Sequence, residues 1–298
     1  MKKVALSAIV ALAVSASAAS AADLGAKMVT KAPPAPAPIW DIAFGGVVTT
    51  DYNFRGVSQS NRGASGGAYF EPQLMTSIGT FYVGLAAYAI DWPFNLGFTS
   101  PSAEVDMYGG WRNTWGAFSL DLGAINYHYP KEQDTGVTGQ SDFYELYAKA
   151  AYAITPDLTV GGNVFWTPDL LHYSETFFRT NGTSTKAPAT YASGTLKWVT
   201  PFNYNGLGAF ISGEVGHWWI DDTGFIALGF LNPSYTYFNA GLGLTYKALT
   251  LDLRYHGTDL STAECASFLL AGTNSSNSWC NDAYIASIKF DTSLNALK

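Results

Sequence analysis

The chain has 298 residues and a formal net charge of −7; 15% of its residues are aromatic, 30 are glycine, and only 13% are charged. The acidic balance argues against nucleic-acid binding, which uses basic surfaces. Ordinary globular domains carry about 25% charged residues, so this composition argues against a soluble helical protein. It is typical of outer-membrane β-barrels, whose strands face lipid on one side and need glycine in their turns.

The N-terminus has the form of a secretory signal peptide, with a buried N-terminal helix as the alternative interpretation. Lys2 and Lys3 precede the apolar run Val4–Val14, and a stretch of small residues ends at Ala22, where we expect cleavage. Removing residues 1–22 takes away two of the 16 basic residues and no acidic residue. The remaining 276 residues then carry 14 basic and 23 acidic side chains, a net charge of −9.

A short leader separates the signal peptide from the rest of the chain. Residues 23–38 end in alternating alanine and proline, a polyproline-like composition that cannot pack a core. We expect this leader to be an extended periplasmic tether, and residues 39–298 to form one outer-membrane β-barrel. No later segment approaches the 18 consecutive apolar residues typical of a transmembrane helix.

From Trp40 onward, strand-like runs alternate with turn residues. Their connections alternate in length: short ones such as Ile78-Gly79 and Lys247-Ala248 are followed by long polar ones such as Gly56–Gly66 and Pro168–Lys186. This alternation is typical of an up-and-down antiparallel barrel with short periplasmic turns and long outer loops. An even strand number places both chain ends in the periplasm. The twelve predicted strands are Trp40–Arg55, Gly67–Ser77, Thr80–Asp91, Ser102–Arg112, Gly116–Tyr129, Asp142–Ile154, Asp157–Thr167, Ala187–Val199, Gly206–Trp219, Ser234–Tyr246, Leu249–Asp259 and Asp282–Phe290.

The segment Ser141–Thr155 shows the alternation most clearly. Glu145 and Lys149 fall on one face, while the other face is apolar and carries Tyr144 and Tyr152 near its two ends. A soluble sandwich would bury the apolar face. The two tyrosines instead match the aromatic girdles of a lipid-facing surface roughly 25 Å tall. We therefore predict a transmembrane strand with Glu145 and Lys149 toward the lumen.

One predicted strand, Thr80–Asp91, is apolar on both faces. Contact with a neighbouring subunit is one interpretation, so a homo-oligomer is among the expected assemblies.

The same alternation predicts which charged side chains face the lumen. They either pair across strands and stabilise the barrel interior or line a water-filled pore and set its ion preference. Twelve strands leave a modest bore, because eight-stranded barrels are filled by side chains and barrels of sixteen or more hold an aqueous channel. The candidates are Asp51, Arg55, Glu104, Asp106, Arg112, Asp121, Glu145, Lys149, Lys197, Glu214, Asp252, Arg254 and Lys289.

Asp51 and Arg55 form a further candidate group. They lie four residues apart in the first predicted strand, so we expect both on its inward face, on either side of Asn53. A pore-lining polar cluster is one interpretation. A structural ion pair that anchors the first loop is the other.

The two cysteines, Cys265 and Cys280, lie in the last long polar stretch. In an exported chain we expect them to form a disulfide, with free thiols as the alternative. The bond would close a loop of about 16 residues and stabilise the protein by about 3 kcal/mol.

Signals for catalysis are weak. Residues Gly63–Gly67 match the G-x-S-x-G pattern around Ser65, but a nucleophile elbow needs a helix after it, and a second strand follows instead. His256, Asp252 and a serine could together form an outer-membrane lipid hydrolase site, although no specific motif supports them. The four histidines lack zinc-binding spacing. We expect no enzyme activity, no metal and no cofactor.

The segment Thr50–Ser60, TDYNFRGVSQS, resembles a signature near the first strand of the TorF family of proteobacterial porins. Shorter similarities follow in Gly79–Gly84, Glu104–Gly110 and Phe143–Tyr147, and in Cys280 before the last strand. The resemblance implies a porin-like barrel in the outer membrane of a Gram-negative cell and names no substrate.

Together these observations predict a twelve-stranded transmembrane barrel, embedded in outer-membrane lipid, through which small hydrophilic solutes or ions diffuse passively. A sealed barrel that serves as a structural or surface-interaction protein, with its outer loops as the working surface, is the alternative. An outer-membrane lipid hydrolase is a third and weaker one.

Overall fold

The computed structural model describes residues 39–92, 101–130, 141–172, 186–221, 233–268 and 278–298. The predicted signal peptide and leader lie outside these residues. Twelve long strands form a closed antiparallel barrel in which each strand pairs with its neighbours in the chain and the last strand pairs with the first. The predicted fold class is confirmed. A hairpin of two short strands, β2 and β3, each two residues long, follows the first strand. The strands are β1 Trp40–Thr49, β2 Asn53–Phe54, β3 Val57–Ser58, β4 Ser65–Thr76, β5 Gly79–Ala89, β6 Ala103–Trp115, β7 Phe118–His128, β8 Phe143–Ala153, β9 Leu158–Thr167, β10 Ala189–Tyr204, β11 Leu207–Ile220, β12 Tyr235–Tyr246, β13 Leu249–Thr258 and β14 Ala283–Ser293.

All twelve predicted strands are present, but the ends of the first and last strands differ from the predicted ends. β1 ends at Thr49 rather than Arg55, because the Thr49 hydroxyl donates to the Asp51 carbonyl oxygen (2.8 Å) and the chain leaves the sheet there. β14 continues to Ser293, three residues past Phe290, because Ser293 pairs with Ala43 of β1. The backbone N–H of Leu294, just after β14, also donates to the Ile42 carbonyl oxygen of β1 (3.0 Å), which extends the β1–β14 seam toward the start of β1.

The barrel wall has an apolar outside and a polar inside. Along β8, Tyr144, Leu146 and Tyr152 are about half exposed, whereas Glu145 is fully buried and Lys149 is 9% exposed. An apolar outer surface with exposed aromatic residues near both ends of its strands is the surface that lipid covers in a transmembrane barrel. No helix in the described part of the chain is long and apolar enough to span a membrane.

The structure explains why β5 is apolar on both faces. Its inward residues include Tyr82, Gly84 and Tyr88, and a Cβ at Gly84 would overlap the ring of Tyr108 on β6. Glycine therefore lets an aromatic ring lie flat against the inner wall. Aromatic packing inside the lumen accounts for this face without a second subunit, and the homo-oligomer stays a prediction.

The predicted disulfide joins Cys265 and Cys280, whose Cα atoms lie 5.8 Å apart. Cys265 lies in a short helix, Thr262–Phe268, and Cys280 lies three residues before β14. The Trp279 carbonyl oxygen accepts a hydrogen bond from the backbone N–H of Ser58 (2.9 Å). The disulfide-closed segment therefore contacts the first outer loop.

Candidate functional site

The first outer loop, residues 50–64, folds into the barrel. Its tip is the β2–β3 hairpin, which turns at Arg55 and Gly56, both with positive φ. Tyr52 reaches Glu104 on β6, Arg55 reaches Glu145 on β8, and the Tyr235 hydroxyl on β12 donates to the Arg55 carbonyl oxygen (2.9 Å). Because these strands lie on different sides of the barrel, the loop crosses the lumen.

Arg55 is the main anchor of this loop. Its guanidinium donates two hydrogen bonds to the Glu145 carboxylate, at 2.7 and 2.8 Å. Burial alone would lower the pKa of Arg55, but the facing Glu145 carboxylate raises it above its usual value, so the side chain is charged. The guanidinium carbon also lies 4.3–4.8 Å from the centroids of four aromatic rings, at cation–π distance: Phe54, Phe165, Tyr191 and Trp218.

Asp51 stabilises the loop from within. Its carboxylate accepts a hydrogen bond from Ser60 (3.0 Å) and one from Ser58, and it lies 3.7 Å from the Arg62 guanidinium. The prediction that Asp51 and Arg55 share the inward face of the first strand is therefore wrong. Both lie in the loop that follows the strand, and Asn53 caps the turn by accepting from the Gly56 N–H (2.9 Å). The alternative, an ion pair between Asp51 and Arg55 that anchors the first loop, is also wrong: Arg55 pairs with Glu145, and Asp51 lies near Arg62.

Buried carboxylates on β6 contact the loop on the side opposite Arg55. Glu104 accepts hydrogen bonds from the hydroxyls of Tyr52 (2.6 Å) and Tyr129 (3.0 Å), and Asp106 is buried nearby on the same face. Burial, aided by the Glu104 charge, raises the pKa of Tyr52 well above its usual range. Tyr52 is therefore a neutral phenol that donates to a carboxylate.

A second network fills the half of the β4–β8 wall that lies near the short turns. Arg112 forms an ion pair with Glu71, and the Tyr82 hydroxyl donates to Asp121. The Tyr82 and Tyr147 hydroxyl oxygens lie 2.6 Å apart. The Lys149 ammonium stacks over the Tyr147 ring, with its nitrogen 4.2 Å from the ring centroid. Glu71 is absent from the predicted candidates, although the alternation of residues along β4 would have placed it inward.

The opposite wall, formed by β10–β14, borders open space. A cavity of about 190 Å³ is lined by residues of this wall, by the inserted loop and by single residues of the facing strands, such as Tyr88 and Tyr127. Arg254 donates to both carboxylate oxygens of Asp252 (3.0 and 2.9 Å) and to the Ser212 hydroxyl (2.7 Å). Glu214 accepts a hydrogen bond from the Tyr191 hydroxyl (2.9 Å). Lys289 lines the cavity from β14.

The structure therefore brings the predicted candidates into one enclosed space. Those on the strands lie on inner faces, as buried or half-buried side chains, and two are supplied by the inserted loop. Sequence analysis missed the hydrogen bonds that inward tyrosines make, because the alternation along a strand assigns a side chain to a face and not to a partner. The inward tyrosines that hydrogen-bond lumen carboxylates are Tyr52, Tyr69, Tyr82, Tyr127, Tyr129 and Tyr191.

The residues considered for a hydrolase have other partners. His256 shares a hydrogen bond with the Tyr237 hydroxyl (3.0 Å), and Asp252 pairs with Arg254. The Ser65 hydroxyl donates to the Ala89 carbonyl oxygen (2.6 Å) at the start of β4. Within the described residues, no cluster of three or more histidine, cysteine, aspartate or glutamate side chains could hold a metal ion.

A sequence profile of the family described as "Bacterial protein of unknown function (Gcw_chp)" matches residues 35–289, which is most of the chain and nearly all of the barrel. The chain belongs to the Gcw_chp family. No curated protein matches it by sequence.

Solved structures similar to this Gcw_chp protein include outer-membrane barrels. The NanC porin aligns with a TM-score of 0.47 at 10% identity and covers 84% of this chain and 98% of its own. The outer membrane channel DcaP of Acinetobacter baumannii aligns with a TM-score of 0.41 at 8% identity and covers 86% and 96%.

Proposed function

We propose that this Gcw_chp protein is an outer-membrane channel for the passive diffusion of small hydrophilic solutes or ions. The observation that carries the proposal is a closed twelve-stranded barrel with an apolar exterior and an interior of charged side chains. A protein that only had to fill its barrel could do so with apolar residues at lower desolvation cost. The proposal includes neither catalysis nor a cofactor.

The inserted loop limits the size of the solute. Twelve strands enclose a bore between that of filled eight-stranded barrels and that of wide sixteen-stranded porins, and residues 50–64 occupy part of it. The cavity of about 190 Å³ beside the loop is the space left along the β10–β14 wall. We therefore expect passage of ions and small molecules rather than of oligomers.

The outer-membrane location is part of the proposal. The apolar outer wall, the signal-peptide pattern of residues 1–22 and the resemblance of Thr50–Ser60 to the TorF porins support it.

One observation favours a sealed barrel as the second candidate. Arg55 is held by a bidentate ion pair and four aromatic rings, a stronger attachment than a loop that merely lines a pore requires. In that case the outer loops would be the working surface.

Single-channel recording separates the two functions. The purified protein, refolded and checked for heat-modifiable migration in gels, would be added to planar lipid bilayers. Discrete current steps that increase with salt concentration are the expected result. Silence from a barrel that is demonstrably folded would contradict the channel and support the sealed form.

A further inference from the structure

Charge is distributed unevenly around the lumen. Four carboxylates of the β4–β8 wall have direct partners, either a cation or tyrosine hydroxyls, whereas one oxygen of a fifth, Asp106, is buried without a hydrogen bond to any described residue. The four are Glu71, Glu104, Asp121 and Glu145. On the opposite wall, Lys197 on β10 is the register partner of Ser212 on β11, whose hydroxyl accepts a hydrogen bond from Arg254. Lys289 on β14 lies two residues from Ser287, the register partner of Asp252.

Asp252 is already neutralised by Arg254. The two side chains share two hydrogen bonds from Nε and Nη2 of Arg254; Nη2 also donates to the Ser212 hydroxyl, and Nη1 donates to the Asn239 side-chain oxygen. The carboxylate on β14, Asp291, accepts a hydrogen bond from the Tyr69 hydroxyl (3.2 Å) at the β1–β4 side. Neither carboxylate lies within ion-pairing distance of Lys289.

Lys197 and Lys289 have no hydrogen bond or ion pair with any residue that the structure describes. Lys197 contacts the Phe210 ring, with its nitrogen 4.4 Å from the ring centroid. Lys289 borders the cavity together with Ser287, a neutral hydrogen-bond donor. Two ammonium groups without anions in a confined space repel each other, and an anion between them relieves that cost.

We propose that Lys197 and Lys289, with the Arg254–Asp252 pair behind them, form a binding site for small anions that carry a phosphate or carboxylate group. Basic side chains inside a pore favour anions, and the cavity that Lys289, Arg254 and Asp252 line gives such a solute room. This inference rests on the proposed channel function and adds the class of solute that the channel prefers.

The test uses the Lys197→Gln/Lys289→Gln double variant and a matched control, Lys247→Gln. Lys247 lies in the short turn between β12 and β13, outside the lumen, and loses the same charge. The reversal potential in a potassium chloride gradient gives the anion-to-cation permeability ratio. We expect this ratio to fall about three- to tenfold in the double variant and to be unchanged in the control.

A second readout does not need an open pore. Inorganic phosphate, added at constant ionic strength, should raise the thermal unfolding midpoint of the wild type and of Lys247→Gln, because binding to the folded state stabilises it. The double variant should lose this increase. If it does not fold, the two single variants are measured in the same way.

The two proposals fail differently. A folded, silent barrel whose phosphate stabilisation depends on the two lysines would contradict the channel and keep the anion site. A conducting barrel whose permeability ratio and phosphate response are the same in all three proteins would overturn the anion site and keep the channel.

Discussion

Arg55 and Glu145 lie 90 residues apart in the sequence and meet inside the barrel through two hydrogen bonds of 2.7 and 2.8 Å. Glu145 is fully buried, and it also accepts from the Tyr127 hydroxyl (3.0 Å). The pair fixes the tip of the first outer loop to the far wall. Its strength therefore decides how much of the lumen is open.

Replacing Arg55 with alanine should release the loop. Breaking a buried ion pair leaves Glu145 uncompensated, which costs about 3–5 kcal/mol if the site stays dry. We expect a lower free energy of unfolding in urea and larger single-channel current steps than those of the wild type.

A double variant distinguishes the ion pair from the bulk of the side chain. Arg55→Met/Glu145→Met removes both charges, so it should lose less stability than Arg55→Ala, since no unpaired charge remains. Current steps of wild-type size in Arg55→Ala would show that the loop does not limit conduction.

Gly45 should be required for closing the barrel seam. A Cβ at this position would overlap the Phe290 carbonyl oxygen on β14 and lie 2.6 Å from the Tyr69 ring. We expect Gly45→Ala to destabilise the protein by about 1–3 kcal/mol and to reduce the folded fraction seen as heat-modifiable migration in gels.

Gly194→Ala is the matched control for Gly45→Ala. Gly194 also lies within a strand, but a Cβ there would meet no atom within 4 Å. Its folded fraction should equal that of the wild type. Equal loss in both variants would mean that strand glycines are required for a reason other than the close approach of β1 and β14.

The Tyr82 hydroxyl should contribute to stability through the lumen network. It donates to Asp121 and lies 2.6 Å from the Tyr147 hydroxyl oxygen. Tyr82→Phe should lower the free energy of unfolding by about 1 kcal/mol, the usual net value of such a bond. Tyr152→Phe removes an outward hydroxyl from an exposed tyrosine and should change the free energy of unfolding by much less. Equal effects of the two variants would mean that the Tyr82 hydroxyl does not stabilise the protein through the lumen network.

The disulfide should stabilise both outer segments that it touches. Reduction of Cys265–Cys280 should lower the thermal unfolding midpoint, because closing a loop of this length stabilises the folded protein by about 3 kcal/mol. The closed segment also accepts hydrogen bonds from Ser58 and Thr258, which the loss of the bond would weaken. The Cys265→Ser/Cys280→Ser variant should have a lower thermal midpoint than the oxidised wild type, and reductant should not change it. A wild type whose midpoint does not respond to complete reduction would contradict this role.

Much of the lumen was predictable because inward and outward positions alternate locally along each strand. Glu145 and Lys149 were assigned to the lumen from β8 alone, and the same rule applied to β4 would have found Glu71. The hydrogen bonds of the inward tyrosines were missed, because the rule predicts which side of the wall a side chain faces but not which residue it contacts. The Tyr82 hydroxyl, for example, donates to Asp121, which lies two strands away on β7.

By itself the sequence determined the number of strands, their order and the two-faced wall, because a period of two residues and the turn residues between strands act within short segments. The path of the first loop was decided only by the tertiary structure. Asp51 and Arg55 continue the strand pattern in sequence, yet they leave the sheet, because the closed barrel brings Glu145 and four aromatic rings around Arg55. Phe54 belongs to the loop itself, but Glu145 and the other three rings come from β8 to β11 and surround Arg55 only after strands far apart in the chain have closed.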